Sequence, residues 1–250
     1  MRARSLLAAA LVAPALACGC GDSGRPELVV SAAASLKAAF NRYGHQFRAA
    51  TVRYSFAGSD ALAAQIEQGV RPDVFASANE VLPEALYRKG LVAKPVVFAA
   101  NRLVLAVPAQ SRITSLSGVE RRGVSVAVGT KTVPVGSYTE TVLGRLPPAQ
   151  RRSLEADIVD REPDVSGIVG KLTEGAVDAG FVYASDVAAT RGALRAIQLP
   201  TQLQPQVSYA VALVKGTQHA AQARAFVAGV LRGRGAQDLL AAGFLAPPRT

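Results

Sequence analysis

Short runs rich in β-branched residues alternate with amphipathic segments along most of this chain, and this alternation limits its fold more than any other feature. The segments Glu27–Ser31 and Asp73–Ser77 have the composition of buried strands. Between them, Leu36, Phe40 and Tyr43 recur at the spacing of one helix face. Strands that alternate with helices predict an α/β fold with a mostly parallel sheet.

The alternation stops near Pro108 and resumes at Val124, which indicates two α/β lobes. Two long apolar strands, Leu103–Val107 and Val207–Val214, bracket the middle third of the chain. We expect these strands to be the crossings between a discontinuous first lobe and a second lobe inserted into it. The predicted boundaries are residues 27–106 and 208–250 for lobe I, and residues 107–207 for lobe II.

The first residues have the pattern of an export signal. Two arginines precede an apolar run that is too short for a comfortable transmembrane helix. Cys18 ends this run and resembles the acylated cysteine of bacterial lipoproteins, with Cys20 as the second candidate. We expect residues 1–17 to be a signal peptide and residues 18–26 a tether. The protein would be exported to the periplasm or held by lipid on the outer face of the cytoplasmic membrane, with a freely secreted form as the alternative.

Composition narrows the classes of function. The chain has 28 Lys and Arg against 18 Asp and Glu, a formal charge of +10, but it has no run of five basic residues. A basic surface attracts anions in general, whereas nucleic acid binding has no specific support. A metal site built on the two cysteines would need further ligands, and only His45 and His219 could supply them as histidines. We expect no cofactor.

Sequence motifs of catalysis are absent as well. No G-x-S-x-G elbow surrounds Ser35, Ser59 or Ser137. We therefore predict that the protein is not an enzyme. The alternative from a different class is a secreted hydrolase with Ser35 or Ser59 as nucleophile, which needs a general base that the sequence does not offer nearby.

Four junctions between a strand and a helix carry small or hydroxylated residues, and they are the candidate sites of binding. The unpaired N–H groups and the partial positive charge at a helix N-terminus attract oxyanions. A serine hydroxyl would add one more donor. The alternative is that each serine only caps its own helix. The four junctions are at Ser35, Gly58-Ser59, Val135-Gly136 and Val165-Ser166.

Seven motifs in a fixed order resemble the periplasmic molybdate-binding proteins of ABC transporters. Each motif is weak alone, but together they cover nearly all of the chain after the tether. The motifs are Ala32–Leu36, Ser55–Ser59, Pro72–Ser77, Asn101–Leu105, Val133–Gly136, Asp164-Val165 and Gly180–Asp186.

The resemblance implies a type II periplasmic binding protein fold, in which two α/β lobes with a hinge close on a ligand in the cleft between them. It implies that Ser35 and Ser59 bind the oxyanion from lobe I through their hydroxyl groups. From lobe II, Val135 and Val165 would donate backbone N–H groups and Tyr183 its phenol. The family often has Ala where this chain has Val135, a difference that a backbone donor tolerates.

The resemblance also implies a ligand and partners. Molybdate, and tungstate with nearly the same size and charge, would be captured by a monomer and passed to a permease in the inner membrane. Sulfate or phosphate in the same cleft is the alternative. Asp60 bears on this choice, since a carboxylate facing the cleft would repel a dianion but accept a hydrogen bond from hydrogen phosphate. We interpret Asp60 as a residue that stabilises the start of its helix instead.

Overall fold

A computed structural model describes residues 24–120 and 123–248. The predicted signal peptide, Cys18, Cys20 and the first part of the tether lie outside these residues. The strands are β1 (Glu27–Ala33), β2 (Thr51–Ala57), β3 (Val74–Ser77), β4 (Val96–Asn101), β5 (Leu103–Pro108), β6 (Val126–Gly129), β7 (Ile158–Glu162), β8 (Ala179–Tyr183), β9 (Leu194–Gln198) and β10 (Val207–Leu213). The helices are α1 (Lys37–Gln46), α2 (Ser59–Glu67), α3 (Val81–Arg88), α4 (Pro134–Arg145), α5 (Pro148–Asp157), α6 (Val165–Thr173), α7 (Ala184–Ala189), α8 (Ala220–Arg232) and α9 (Arg234–Ala241).

The strands form two five-stranded sheets with the same internal order. The first sheet has the order β2-β1-β3-β10-β4 and the second has the order β7-β6-β8-β5-β9. In the first sheet Val30 pairs with Tyr54 of β2 and with Val74 of β3, all running in parallel. The second sheet repeats this arrangement with β6 between β7 and β8. The α/β fold predicted from the alternation is therefore present twice.

The prediction of mostly parallel sheets holds for strand direction, with one exception in each sheet. Strand β10 runs antiparallel to both β3 and β4, and β5 runs antiparallel to both β8 and β9. Each reversed strand is the one with which the chain enters a sheet from the other sheet. It arrives without a crossover helix, so it does not have the direction that βαβ connections impose on the other strands.

The chain passes between the sheets at Arg102 and again at residues 199–206. The two long apolar strands lie beside these crossings and not within them, because β5 belongs wholly to the second sheet and β10 wholly to the first. We keep the names lobe I and lobe II for the parts built on the first and second sheets. The predicted lobe boundaries stay a prediction. The chain changes sheet at Arg102, four residues before residue 106, where we predicted the first part of lobe I to end.

Helices cover both faces of the first sheet. The rings of Phe40 and Tyr43 on α1 pack against Phe226 of α8, with ring centroids 5.6 and 4.9 Å apart. On the opposite face, Leu62 and Ile66 of α2 form a smaller buried cluster with strand and α3 residues. Burial of both faces explains the continuous apolar runs of these strands. Within the described part of the chain, no helix is long and apolar enough to cross a membrane.

Candidate functional site

Six loops meet in the cleft between the lobes, and each follows the carboxyl end of a parallel strand. Three of them follow β1, β2 and β3 of lobe I, and three follow β6, β7 and β8 of lobe II. The carboxyl ends of strands are the usual place for ligands in open α/β sheets. The loops line a cavity of about 20 Å³, counted as the space open to the centre of a water molecule. A sphere of that volume has a radius of roughly 1.7 Å, which suits the oxygens around one small tetrahedral centre.

All five residues that the resemblance implies for the oxyanion line this cavity: Ser35, Ser59, Val135, Val165 and Tyr183. They come from five different strand-to-helix junctions of the two lobes. The structure therefore brings together residues that lie up to 148 positions apart in the sequence.

Lobe I contributes two serine hydroxyls. Ser35 lies in a short 3-10 turn after β1, and its Oγ is 2.9 Å from the Oη of Tyr209. Ser59 is the first residue of α2, and its Oγ accepts a hydrogen bond of 3.1 Å from the backbone N–H of Ala78. Neither serine caps its helix through its side chain, so the capping interpretation is wrong. Both oxygens have a protein partner that can act as donor, which leaves each hydroxyl proton for a ligand.

Lobe II contributes backbone N–H groups at two helix N-termini. Val135 follows Pro134 in the first turn of α4, and Val165 is the first residue of α6. The first N–H groups of a helix have no partner within it and carry the positive end of its dipole. The Asp164 carboxylate caps α6 by accepting from the N–H of Ser166 at 2.7 Å, which leaves the Val165 N–H for the cavity.

Tyr183 adds a phenol at the end of β8. Its Oη is buried and has no hydrogen-bond partner among the described residues. The rings of Tyr138 and Tyr209 pack edge-on against it, with centroids 6.4 and 5.7 Å away. Burial raises the pKa of the Tyr183 phenol well above its ordinary value, so the group stays protonated and serves as a donor. A buried hydroxyl without a partner costs about 1–3 kcal/mol, and a ligand oxygen would remove that cost.

The cavity wall is almost neutral. Among the described residues that line it there is no Lys, Arg or His, and Asp164 is its one charged side chain. The Asp164 carboxylate is already engaged by the N-terminus of α6. The attraction for an anion therefore comes from hydroxyl protons, backbone N–H groups and helix dipoles.

Sequence reasoning missed the residues that position these donors. Tyr209 holds the Ser35 hydroxyl, and the Ala78 N–H holds the Ser59 hydroxyl. Tyr209 had a detectable signal, because it is the lone aromatic residue of an apolar strand and a buried phenol needs a partner. A backbone donor such as Ala78 has no signal in the sequence.

Asp60 is not among the residues that line the cavity. It lies in the first turn of α2, where a carboxylate is favourable to the helix dipole. Its Oδ1 is buried without a hydrogen-bond partner among the described residues. This position favours the interpretation of Asp60 as a residue of the helix start.

Within residues 24–120 and 123–248, no histidine lines the cavity, and its one carboxylate, Asp164, accepts a hydrogen bond from the N–H of Ser166. Neither His45 nor His219 lines the cavity, and Nδ1 of His219 lies 3.3 Å from Oδ1 of Asp73. In the part of the chain that the structure describes, no group of three or more His, Cys, Asp or Glu could hold a metal ion. The hydroxyl and backbone N–H groups around the cavity can donate hydrogen bonds to a ligand.

Known proteins resemble this chain in sequence. Residues 28–245 match the family model described as bacterial extracellular solute-binding protein. The molybdate-binding protein ModA of Mycobacterium tuberculosis is 34% identical to this chain, in an alignment that covers 97% of each chain. A putative ABC transporter substrate-binding lipoprotein of Bacillus subtilis, YvgL, is 30% identical over 89% of this chain and 90% of its own.

A solved structure supports the fold. The periplasmic molybdate-binding protein of Azotobacter vinelandii superposes with a TM-score of 0.78 and 22% identity, over 88% of this chain and all of the other. The type II periplasmic binding protein architecture predicted from the motifs is therefore confirmed. The chain belongs to the family of bacterial extracellular solute-binding proteins, and it is related along nearly its whole length to molybdate-binding proteins.

Proposed function

We propose that this protein binds molybdate outside the cytoplasm and delivers it to the permease of an ABC transporter. One observation carries the proposal: donors from both lobes line one small cavity, where the Tyr183 hydroxyl has no other partner among the described residues. The ligand would be held by Ser35 and Ser59 from lobe I and by Val135, Val165 and Tyr183 from lobe II. The similarity to the molybdate-binding protein of Mycobacterium tuberculosis supports this ligand.

The donor set suits a tetrahedral dianion. Such an ion has four oxygens that only accept hydrogen bonds, and five donors can satisfy all of them. Hydrogen bonds to a charged group are worth about 1.5–3 kcal/mol each, more than bonds between neutral groups. Neutral donors also avoid a buried ion pair, in which the desolvation of the cation would offset much of its attraction.

Binding and delivery follow from the division of the donors between two lobes. Only a closed cleft lets both sets reach one ion, so the ligand stabilises the closed state over the open one. The permease would then recognise the closed, loaded protein. No catalytic step is needed for capture and delivery.

Calorimetry of the protein without its leader, titrated with molybdate, tungstate, sulfate and phosphate, tests the proposal. We expect tight 1:1 binding of molybdate and of tungstate with similar affinity, because the two ions have nearly equal size and charge. We expect sulfate to bind at least tenfold more weakly, because a smaller ion stretches the same hydrogen bonds. Tight binding of sulfate or phosphate without molybdate would assign the other oxyanion to this cleft. Hydrolysis of a generic ester that is lost in Ser35→Ala or Ser59→Ala would support the hydrolase instead.

The protein would act as a monomer attached to the outer face of the cytoplasmic membrane through lipid on Cys18, or on Cys20 as the second candidate. The lipoprotein of Bacillus subtilis named among the relatives supports such an anchor. Mass spectrometry of the mature N-terminus from cells decides the question. Acylated Cys18 is the expected result, and an unmodified N-terminus beyond residue 20 would contradict the anchor.

A further inference from the structure

The turn that opens α2 lies directly against the opposite lobe. Gly58 precedes Ser59 in this turn, and a methyl group built on its Cα would lie 2.5 Å from the carbonyl oxygen of Pro163. The same methyl group would lie 3.4 Å from Cγ1 of Val133. Pro163 and Val133 both belong to lobe II. Two lobes therefore meet at a point where there is no space for even one extra carbon atom.

The backbone of Gly58 does not itself require glycine. Its φ of −57° and ψ of 135° are open to every amino acid. The missing side chain is therefore explained by the close approach of lobe II and not by a special turn. Gly69, with a φ of 103° and nothing within 4 Å of an added methyl group, is the contrasting case, where conformation alone explains the residue.

The two loops in contact are equivalent in the repeated topology of the lobes. Gly58 lies between β2 and α2, and Pro163 lies between β7 and α6. Strands β2 and β7 hold the same edge position in their sheets. The following residues, Ser59 and Val165, both line the cavity. The contact between Gly58 and Pro163 therefore lies beside one proposed donor of each lobe, Ser59 and Val165, and the distance between these two donors decides whether both can reach one ligand.

We infer that Gly58 is a positioning residue that sets how closely the two lobes approach each other, and thereby the distance between the donors of lobe I and those of lobe II. The identity of the ligand rests on the proposed function, but the contact itself does not. A side chain at residue 58 would act as a wedge. It would hold Ser35 and Ser59 away from the donors across the cleft.

The wedge would act on the closed state alone. Of the three atoms nearest to the added methyl group, the one that belongs to lobe I is Oδ1 of Asp60, at 2.8 Å. That atom is the end of a flexible side chain, so it can move aside. The carbonyl of Pro163 is backbone and can yield only if the lobes separate. A separation of a few tenths of an ångström already weakens hydrogen bonds that cross the cleft, such as the 3.3 Å bond from the Tyr138 hydroxyl to the carbonyl of Ala78.

Gly58→Ala and a matched control, Gly170→Ala, test the inference. Gly170 lies in α6 with nothing within 4 Å of the added methyl group, so it carries the same substitution without the wedge. Calorimetry and stopped-flow measurements give the affinity for molybdate and its dissociation rate. We expect Gly58→Ala to bind at least tenfold more weakly, mainly through faster dissociation, and Gly170→Ala to bind within twofold of the parent. The ligand-free Gly58→Ala variant should melt close to the parent, and Gly170→Ala close to it or slightly above, because alanine favours a helix interior over glycine.

Equal molybdate affinity for Gly58→Ala and the parent would overturn the inference. Failure of the parent protein to bind molybdate would contradict the proposed function. The inference about Gly58 would then be tested by crystal structures of the ligand-free parent and of Gly58→Ala. In those structures we expect residue 58 to move away from the Pro163 carbonyl in Gly58→Ala, and an unchanged separation would overturn the inference. Gly58→Val serves as the stronger wedge, and a smaller effect than that of Gly58→Ala would also contradict it.

Discussion

At the residue scale, each of the three hydroxyl groups proposed as donors is coupled to the rest of the protein in a different way. Ser35 shares a hydrogen bond with Tyr209, Ser59 accepts one from Ala78, and the Tyr183 hydroxyl has no partner among the described residues. Removal of each hydroxyl should therefore weaken binding in all three cases but affect folding stability differently. The comparison separates the ligand contacts from the internal ones.

Ser35→Ala and Ser59→Ala should each weaken molybdate binding by about 1.5–3 kcal/mol, the value of a hydrogen bond to a charged group. Each should also lower stability by about 1–3 kcal/mol, because a buried partner, the Tyr209 hydroxyl or the Ala78 N–H, loses its bond. Calorimetry and thermal melting measure the two effects. Asp60→Asn is the matched control in the first turn of α2 and should change affinity less than about threefold, under 1 kcal/mol. Parent-like binding by both serine variants would refute the site.

Tyr183→Phe should have opposite effects on binding and on stability. The variant loses one donor, so we expect molybdate affinity to fall about tenfold or more. It also loses a buried hydroxyl without a described partner, so the ligand-free melting temperature should stay the same or rise. A clear drop in that temperature would show that the hydroxyl already has a partner in the empty protein.

At the scale of elements, the site depends on where strands end and helices begin. Local patterns were enough to predict β1, β3 and α1, because these segments bury a regular apolar face. They did not predict α5, in which Leu154 is the one buried residue, or β9, which is short and contains polar residues. Strand direction was also beyond the local pattern, since the reversal of β5 and β10 depends on which sheet the chain enters.

A buried carboxyl group in helix α7 should make the stability of the protein depend on pH. Asp186 of this helix is buried and accepts a hydrogen bond from the Tyr183 N–H at 3.0 Å. Burial raises the pKa of Asp186 from 3.8 to about 7, and the nearby Asp164 charge acts in the same direction. The folded protein therefore holds a proton that the unfolded chain releases. This contribution to stability is complete below about pH 4 and is lost as the pH rises to about 7.

Asp186→Asn should remove this dependence, because the amide oxygen still accepts from Tyr183 but carries no charge. At pH 8 we expect the melting temperature to rise by roughly 10 °C, because a folded-state pKa of about 7 in place of 3.8 corresponds to about 4 kcal/mol and each kcal/mol is worth about 2–4 °C in a chain of this size. Near pH 4 the variant and the parent should melt together. A gain of the same size at both pH values would contradict the assignment of the effect to the charge of Asp186.

At the scale of the whole molecule, two lobes of equal topology present their strand ends to each other across one cleft. Sequence patterns predicted two lobes and the candidate junctions, but not that the junctions meet. Ser35 and Tyr209, for example, touch across 174 positions of sequence, which no local pattern records. The resemblance to a family supplied the five residues, whereas the contact of Gly58 with Pro163 became visible only in the closed arrangement of the lobes.

Ligand should stabilise the closed molecule as a whole. Binding to the folded state alone adds about 2.7 kcal/mol at one hundred times the dissociation constant. For a chain of this length we expect the melting temperature to rise by about 5–11 °C with molybdate. Tungstate should act like molybdate, and sodium chloride at equal ionic strength is the control. A scan without a shift would exclude both ions as tight ligands.

The most direct measurement of the central claim is a crystal structure with molybdate, recorded at an X-ray energy where molybdenum scatters anomalously. We predict a single strong anomalous peak in the cavity between the lobes. The oxygens of the ion should lie at hydrogen-bond distance, about 2.7–3.2 Å, from Ser35, Ser59, Val135, Val165 and Tyr183. A peak outside this cavity, or one held by arginine or lysine side chains, would contradict the account.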